Sequence, residues 1–390
     1  MEQKKHTAIT LKAPAKLNLF LRILGRRLDG MHMLHSLVAP LSLCDDVTLS
    51  SIENSNNVEF AFTFSPDLEK HFEFEFPEPS KRSEMFKELC SDKNLCVQAA
   101  DSFLKAAQIA KGIKIELTKR IPIGAGLGGG SSDAAAVLVG LNELFDYPLS
   151  EETLFDLAAS LGADVSSVLY PEPVFFYSSG EKLLRVPEEI KQKFSAIEVL
   201  IVKPVTQVPS RDAYRLLGLE PKLSSDDAQK IGFQPIDMAT KSALNFWGLE
   251  LLGDENLKLS NNLTLLPQSG SSWGPKNRGG FFNDFENTII DNYPEVGKVF
   301  DVLSKCLTNS SNEAIVLLAG SGSTVVALAP AFSDTEFLLE QLRNASKGTW
   351  YLAASSIIHD ASILGRRQVG KAPDFDSGIR RFESSRPSSF

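Results

Sequence analysis

Five glycines fall within seven residues, Gly124, Gly126, Gly128, Gly129 and Gly130. An apolar run, Ile113–Leu117, leads towards them and is closed by Pro122. Behind them stand Ser131, Ser132 and Asp133, then Val137, Leu138, Leu141, Leu144 and Phe145 at helical spacing. The segment reads as a strand, a glycine loop and a helix starting near Ser132. Glycines let backbone N–H groups approach a ligand closely. A helix N-terminus adds the positive end of a dipole, so the unit is built for an anion, most commonly phosphate. A flexible surface loop is the alternative, and the flanking strand and Ser-capped helix argue against it. No lysine follows the glycines, so the loop is not GxxxxGK[ST]. GAGLGG satisfies GxGxxG, but it starts at residue 124 behind a β-rich region, not in a first βαβ unit.

Three further features stand out. In residues 8–24, Leu17, Leu19, Leu21 and Ile23 alternate with Lys16, Asn18, Phe20 and Arg22, as in a half-buried strand. Period two puts Lys16 and Asn18 on one face. A cation beside an amide can grip a hydroxyl or a phosphate, although alone such a pair reads as a solvated strand face. A second helix is capped by Ser150, carries Glu151 and Glu152 in its first turn and stops at Gly162. Asp164 then falls just past its end. It is a cap unless the fold brings it to Lys16, where it can serve as a base or an electrostatic anchor. Gly320-Ser-Gly-Ser-Thr324 follows the strand Ile315–Leu318, as either a tight turn or a second backbone cradle. His32 and His35 form an HxxH without a nearby carboxylate, and no metal site is read there.

Composition bounds the rest. At ~150 residues per domain, 390 residues make two or three domains. Lys and Arg total 40 against 49 Asp and Glu, a formal net charge of −9 that disfavours nucleic acid as a general partner. The 25 Phe imply large apolar cores, and four Cys do not make a disulfide scaffold at this length. No apolar run reaches the ~18 residues of a membrane span. The basic N-terminus lacks an apolar signal core. The expected location is the cytoplasm, or the plastid stroma if a leader has been removed.

Along the chain, Val58–Phe64 and His71–Phe76 alternate strongly and are predicted to form a β-hairpin. Residues 34–43 form an apolar stretch and Val47–Ser51 a separate short strand. Residues 77–92 read as a polar, proline-containing connection. Helices are expected over Asn94–Ala107, Tyr293–Leu307 and Thr335–Asn344, with strands at Val174–Tyr177, Val199–Lys203 and Val325–Leu328. Residues 219–280 read as a large insertion, helical around Lys241–Leu252, and 365–390 as a disordered tail.

In this order the segments resemble the GHMP kinase superfamily, and within it the kinases of 4-diphosphocytidyl-2-C-methyl-D-erythritol. The similarity lies in PAKLNLFLRILGRRLDGMH at 14–32, IPIGAGLGGGSSDAA at 121–135, GADV at 162–165, FFNDFEN at 281–287 and AGSGST at 319–324. It implies a two-domain α+β fold. A ribosomal-protein-S5-like ATP-binding domain would cover 8–195 and a ferredoxin-like α/β sandwich 196–353, followed by an extension over 354–390. It implies phosphorylation of a small molecule, cytidine diphosphate methylerythritol, by ATP with Mg²⁺, with no nucleic acid and no membrane as partner and with no protein metal ligands assigned. Lys16 and Asp164 match the catalytic pair. Pro122, Ile123, Gly124, Ala125, Gly126, Leu127, Gly128, Gly129, Gly130, Ser131 and Ser132 match the ATP loop. Asn18, Met31, His32, Ser210 and Tyr214 match substrate positions, with His32 towards the cytosine. Met31 stands where the family has Tyr, and Ser166, Ser167 and Val168 follow GADV where it has Pro-Phe-Phe.

Overall fold

The computed structural model describes residues 8–28, 32–170, 172–178, 182–194, 197–219, 221–223, 249–252, 256–259, 280–309 and 314–358. Met31, most of the 219–280 insertion and the 365–390 tail lie outside them.

Two long strands, β1 (Ala8–Arg27) and β2 (His32–Ile52), form an antiparallel ribbon that organises the first sheet. The apolar stretch and short strand expected within 34–51 are one continuous strand. β3 (Val58–Phe64) follows, then helices α1 (Pro66–Glu75), α2 (Pro79–Leu89) and α3 (Leu95–Ala106). The hairpin is therefore not formed. Pro66 opens α1, Asp67 and Glu69 sit in its first turn, and Leu68, His71 and Phe72 bury at helical spacing. These signals override the alternation of HFEFEF, whose Phe74 is left 43% exposed. The polar connection at 77–92 holds α2, likewise begun by a proline.

β4 (Gly112–Lys119) pairs antiparallel with β2 and parallel with β3. The helices α4 (Gly129–Leu144), α5 (Glu151–Leu161) and α6 (Ala163–Ser167) come next. α4 starts three residues before the expected Ser132, because Gly128, at φ 66°, forms its left-handed N-cap. Ser150 caps α5 by accepting from Thr153 N. Asp164 falls just past the end of α5, as expected, and there lies in the first turn of the short α6. β5 (Val174–Ser178) pairs with β2, and β6 (Lys182–Arg185) with β5.

After α7 (Glu188–Phe194) the chain enters a second sheet through β7 (Glu198–Lys203), then forms α8 (Ser210–Leu216). β8 (Pro221–Leu223) runs parallel to β1, and β9 (Leu249–Leu252) pairs with β10 (Asn256–Leu259). The described end of the expected Lys241–Leu252 helix is thus a strand. β11 (Phe282–Asn283) adds to β1 in parallel. Helices α9 (Glu286–Asn292) and α10 (Pro294–Asn309), β12 (Ile315–Leu318), β13 (Val325–Ala329), α11 (Thr335–Ser346) and β14 (Tyr351–Ser356) complete the chain. The second sheet has the order β12-β13-β7-β14, all antiparallel.

β1 is not half-buried. Leu11 and Ala13 pack on the α3–α4 layer, while Leu17, Leu19 and Phe20 pack with Ile201, Leu317 and Val326 of the second sheet. Lys16 and Asn18 are thereby carried inside, each 5% exposed. No helix among the described residues is long and apolar enough to cross a membrane.

Candidate active site

A cavity of about 830 Å³ lies against β1, the glycine loop, α6 and α8. Register shifts in the β1–β2 ribbon fall between Pro14 and Lys16 and between Asn18 and Phe20, and so bracket the two polar residues. Asn18 Nδ2 donates to Ser36 Oγ at 2.7 Å, and Ser36 Oγ donates to Phe20 O at 2.7 Å. This chain turns Asn18 Oδ1 towards Lys16, whose Nζ donates to it at 2.8 Å. Lys16 Nζ also stands 3.8 Å from Asp164 Oδ1, with side chains 6% and 56% exposed. The strand motif and the residue past GlyAla thus meet, 148 positions apart in sequence.

The glycine loop is locked from two sides. A Cβ on Gly126, at φ 75°, would lie 2.2 Å from Ala319 O, and one on Gly128 would lie 2.6 Å from Lys16 Cγ. Both positions therefore need glycine for conformation and for space. The 320–324 turn touches the loop directly: a Cβ on Gly320 would lie 2.6 Å from Gly126 O. Asn283 Nδ2 fastens this turn by donating to Leu318 O and Gly320 O at 2.8 and 2.7 Å. Between the two readings of Gly320–Thr324, the structure gives a turn that buttresses the glycine loop, with Gly320 and Ser321 reaching the cavity.

Beneath the loop, Lys119 Nζ donates to Asp133 Oδ2 at 2.7 Å and to Asp45 Oδ2, all three being buried. Asp45 Oδ1 also accepts from Arg120 N and Ile121 N, which pins the approach to the loop. The two carboxylates hold Lys119 above its ordinary value against the opposing effect of burial. Burial pushes Asp133 up, with the charge of Asp45 adding to it.

At the other end, His32 and Tyr214 stack with centroids 4.0 Å apart and planes 21° apart. Phe285 meets Tyr214 edge-on at 4.9 Å. Burial lowers His32, helped by the charge of Arg26, and burial and then Asp164 raise Tyr214. Ser210 Oγ lies 2.9 Å from Ser321 Oγ.

Of the residues singled out in the sequence, Lys16, Asn18, Asp164, Ser210, Tyr214, Pro122–Gly126 and Gly128–Ser131 line the cavity. Leu127, Ser132 and His32 do not: Leu127 and Ser132 are buried beside it, and His32 is stacked on the lining residue Tyr214. Leu127 O accepts from Lys16 N at 2.8 Å, which ties loop to strand. Ser132 Oγ has no hydrogen-bond partner among the described residues. Sequence reasoning missed Gln207 and Phe285, and an apolar arm that includes Phe60, Phe62 and Leu95. Its one legible signal is Asn94, whose side chain accepts from Cys96 N and caps α3.

The glycine loop and the Lys16–Asp164 pair thus meet at one cavity. The GHMP kinases N terminal domain family model matches residues 94–172. A 4-diphosphocytidyl-2-C-methyl-D-erythritol kinase of Polynucleobacter necessarius is 30% identical over 343 residues, 87% of this chain and 90% of that protein. The protein of that name in Chlorobaculum parvum is 31% identical, covering 83% and 89%. A solved 4-(cytidine 5'-diphospho)-2C-methyl-D-erythritol kinase superposes with a TM-score of 0.57 at 27% identity, over 89% of this chain and 99% of that one. A homoserine kinase from Cytophaga hutchinsonii shares the fold at TM-score 0.58 and 18% identity, over 92% and 98%. The chain belongs to the GHMP kinase family and has its two-part α+β fold, an S5-like half and a ferredoxin-like half.

Proposed function

We propose that this chain phosphorylates the 2-hydroxyl of 4-diphosphocytidyl-2-C-methyl-D-erythritol with ATP and Mg²⁺, in the non-mevalonate route to isoprenoids. The observation that carries the reading is the Lys16–Asp164 pair opening onto the same cavity as the glycine cradle. The relatives matched along most of their length support the choice of alcohol.

The residues fit the implied groups. Backbone N–H groups of the loop and of the first turn of α4 would hold the triphosphate. The Asp164 carboxylate and the Ser131 hydroxyl are the oxygen donors a hard cation takes alongside phosphate and water. The arm at Phe60, Phe62 and Leu95 offers apolar surface for the nucleotide base. ATP supplies the phosphoryl group.

On this reading the chain contributes positioning and charge. Asp164 orients the substrate hydroxyl and takes its proton as the new bond forms. Lys16, fixed by Asn18, steadies that carboxylate and offsets negative charge at the transferring group. A cytosine would part the His32–Tyr214 pair, so that Tyr214 covers its face and a neutral His32 meets its polar edge. The test is ADP release with three alcohols: cytidine diphosphate methylerythritol, homoserine and mevalonate. Turnover confined to the first supports the assignment, and preference for either of the others overturns it.

A further inference from the structure

Asn283, Asp284 and Glu286 of FFNDFEN, residues 281–287, have no part in the proposed chemistry, yet Asn283 and Glu286 are each only 7% exposed. Their bonds run in two directions. Towards the first sheet, β11 adds to β1 with Asn283 opposite Leu21, three positions beyond Asn18. Asp284 N donates to Leu21 O at 3.0 Å. The Asp284 carboxylate accepts from Ile23 N at 2.7 Å and from Arg22 Nη1 at 3.1 Å. Towards the second sheet, Asn283 Nδ2 uses both its hydrogens on Leu318 O and Gly320 O. Its Oδ1 accepts from Phe285 N at 2.9 Å, which fixes the orientation of the amide. Glu286 Oε2 accepts from Leu318 N at 3.0 Å, so the last residue of β12 is held at both its N–H and its C=O.

Leu318 leads into the turn that abuts the glycine loop. Thr324 N donates to Ala125 O at 3.4 Å, and Ala319 O lies where a Cβ on Gly126 would fall. The next loop residue is tied to β1 directly, through Lys16 N and Leu127 O. Ala125–Leu127 is therefore held between the turn and the strand of Lys16, and Asn283 joins that turn to that strand.

We propose that Asn283 is a positioning residue for phosphoryl transfer, setting the glycine loop in register with Lys16 by holding the 319–324 turn to β1. This rests on the kinase reading above, though not on which alcohol is used. A polyphosphate takes its position from the loop, whereas the hydroxyl takes its position from Lys16 and Asp164. A misplacement of ~1 Å between reacting groups costs about 100-fold in rate. Backbone N–H groups still grip polyphosphate when the loop shifts as a whole, so rate suffers before affinity.

The experiment compares kcat with ATP affinity, by calorimetry, in the full chain well below its melting temperature. The alcohol is whichever of the three the wild type turns over. Asn283→Ala should lower kcat by about 100-fold and ATP affinity by less than about threefold. Asp284→Ala removes the side-chain tie to β1 but leaves the backbone tie, and should lower kcat by about tenfold. Asp284→Asn, whose amide oxygen still accepts from Ile23 N, should recover most of that loss. A folded Asn283→Ala chain with parental kcat overturns the proposal, because Asn283 would then only fasten a turn. Equal losses of kcat and ATP affinity also overturn it, since the loop would have lost its shape and not its register. Where Asn283→Ala does not fold, the Asp284 pair decides, as that side chain is 22% exposed. Parental kcat in Asp284→Ala, or no recovery in Asp284→Asn, then overturns the link to β1. A wild-type chain that turns over none of the three alcohols overturns both readings.

Discussion

Two lysines flank the glycine loop, one against Gly128 and one against Gly129, and they are buried to nearly the same degree, 5% and 6% exposed. Lys119 lies between Asp45 and Asp133, so its charge is matched twice even though it, too, borders the cavity. Lys16 has a neutral amide at 2.8 Å, and its carboxylate, Asp164, is 3.8 Å away and half in solvent. A buried charge is expensive unless paired. Where the pairing is complete, the charge serves architecture. Where it is loose, the proposed function has the charge kept for a ligand.

Removing Lys119 should give the largest effect. Lys119→Ala leaves two buried carboxylates facing each other, and breaking a buried pair from one side costs about 3–5 kcal/mol. Urea unfolding should show that loss, with the approach to the glycine loop disordered along with it. A variant as stable as the parent would mean that Asp45 and Asp133 do not depend on Lys119, and the contrast between the lysines would collapse.

Lys16 should behave in the opposite way. Lys16→Ala is expected to lower kcat by ~100-fold or more, about 2.7 kcal/mol, while the unfolding midpoint barely moves. Asp164→Asn should do the same, because Asp164 is half-exposed and contributes little to packing. Near-full turnover in Asp164→Asn would reduce Asp164 to a residue of a short helical turn.

The difference between the lysines was only partly legible beforehand. Lys16 sits in a short motif whose period places it beside Asn18, and five clustered glycines announce their own conformation. Lys119 carries no such signal: its partners lie 74 and 14 positions away, and it takes the β2–β4 pairing and the start of α4 to bring them together. The same limit explains α1. Alternation in HFEFEF is a local pattern, whereas the burial of His71 and Phe72 depends on what packs against them. Met85 and Leu89, which also line the cavity, stayed invisible because nothing local says that a polar, proline-flanked stretch will face it.

A third buried base solves the same problem by staying neutral. His71 is 3% exposed, and burial, with Lys203 nearby, holds it down from 6.5 to about 4. Its folded value is below its unfolded one, so its contribution is complete above pH 6.5 and is lost as pH falls towards 4. Between pH 7 and pH 5 the unfolded chain gains a proton that the fold refuses, a loss of ~2 kcal/mol. His71→Asn should show a shallower decline in melting temperature over that interval. An identical slope in variant and parent would mean that His71 is protonated within the fold, as a paired base would be.

The smallest effect belongs to the aromatic end of the cavity. A base stacked on an aromatic side chain is worth ~1–3 kcal/mol by truncation. Here Tyr214 already has a partner: His32 covers it at 4.0 Å, and Phe285 braces its edge. A cytosine must displace that ring before it gains the same contact, so the two stacking terms largely offset. Tyr214→Ala should therefore weaken the cytidine substrate only several-fold, about 1 kcal/mol, and leave ATP affinity unchanged. His32→Ala should separate the two effects. It frees the face of Tyr214, which favours the base, but removes the neutral imidazole that would meet the base's edge. Tighter binding in His32→Ala would show that the ring obstructs the base. Weaker binding would place the imidazole among the groups that recognise it. A Tyr214→Ala chain that loses ATP as well as substrate would show that this end of the cavity holds no separate base, and the contrast between its closely and loosely paired groups would end at Lys16.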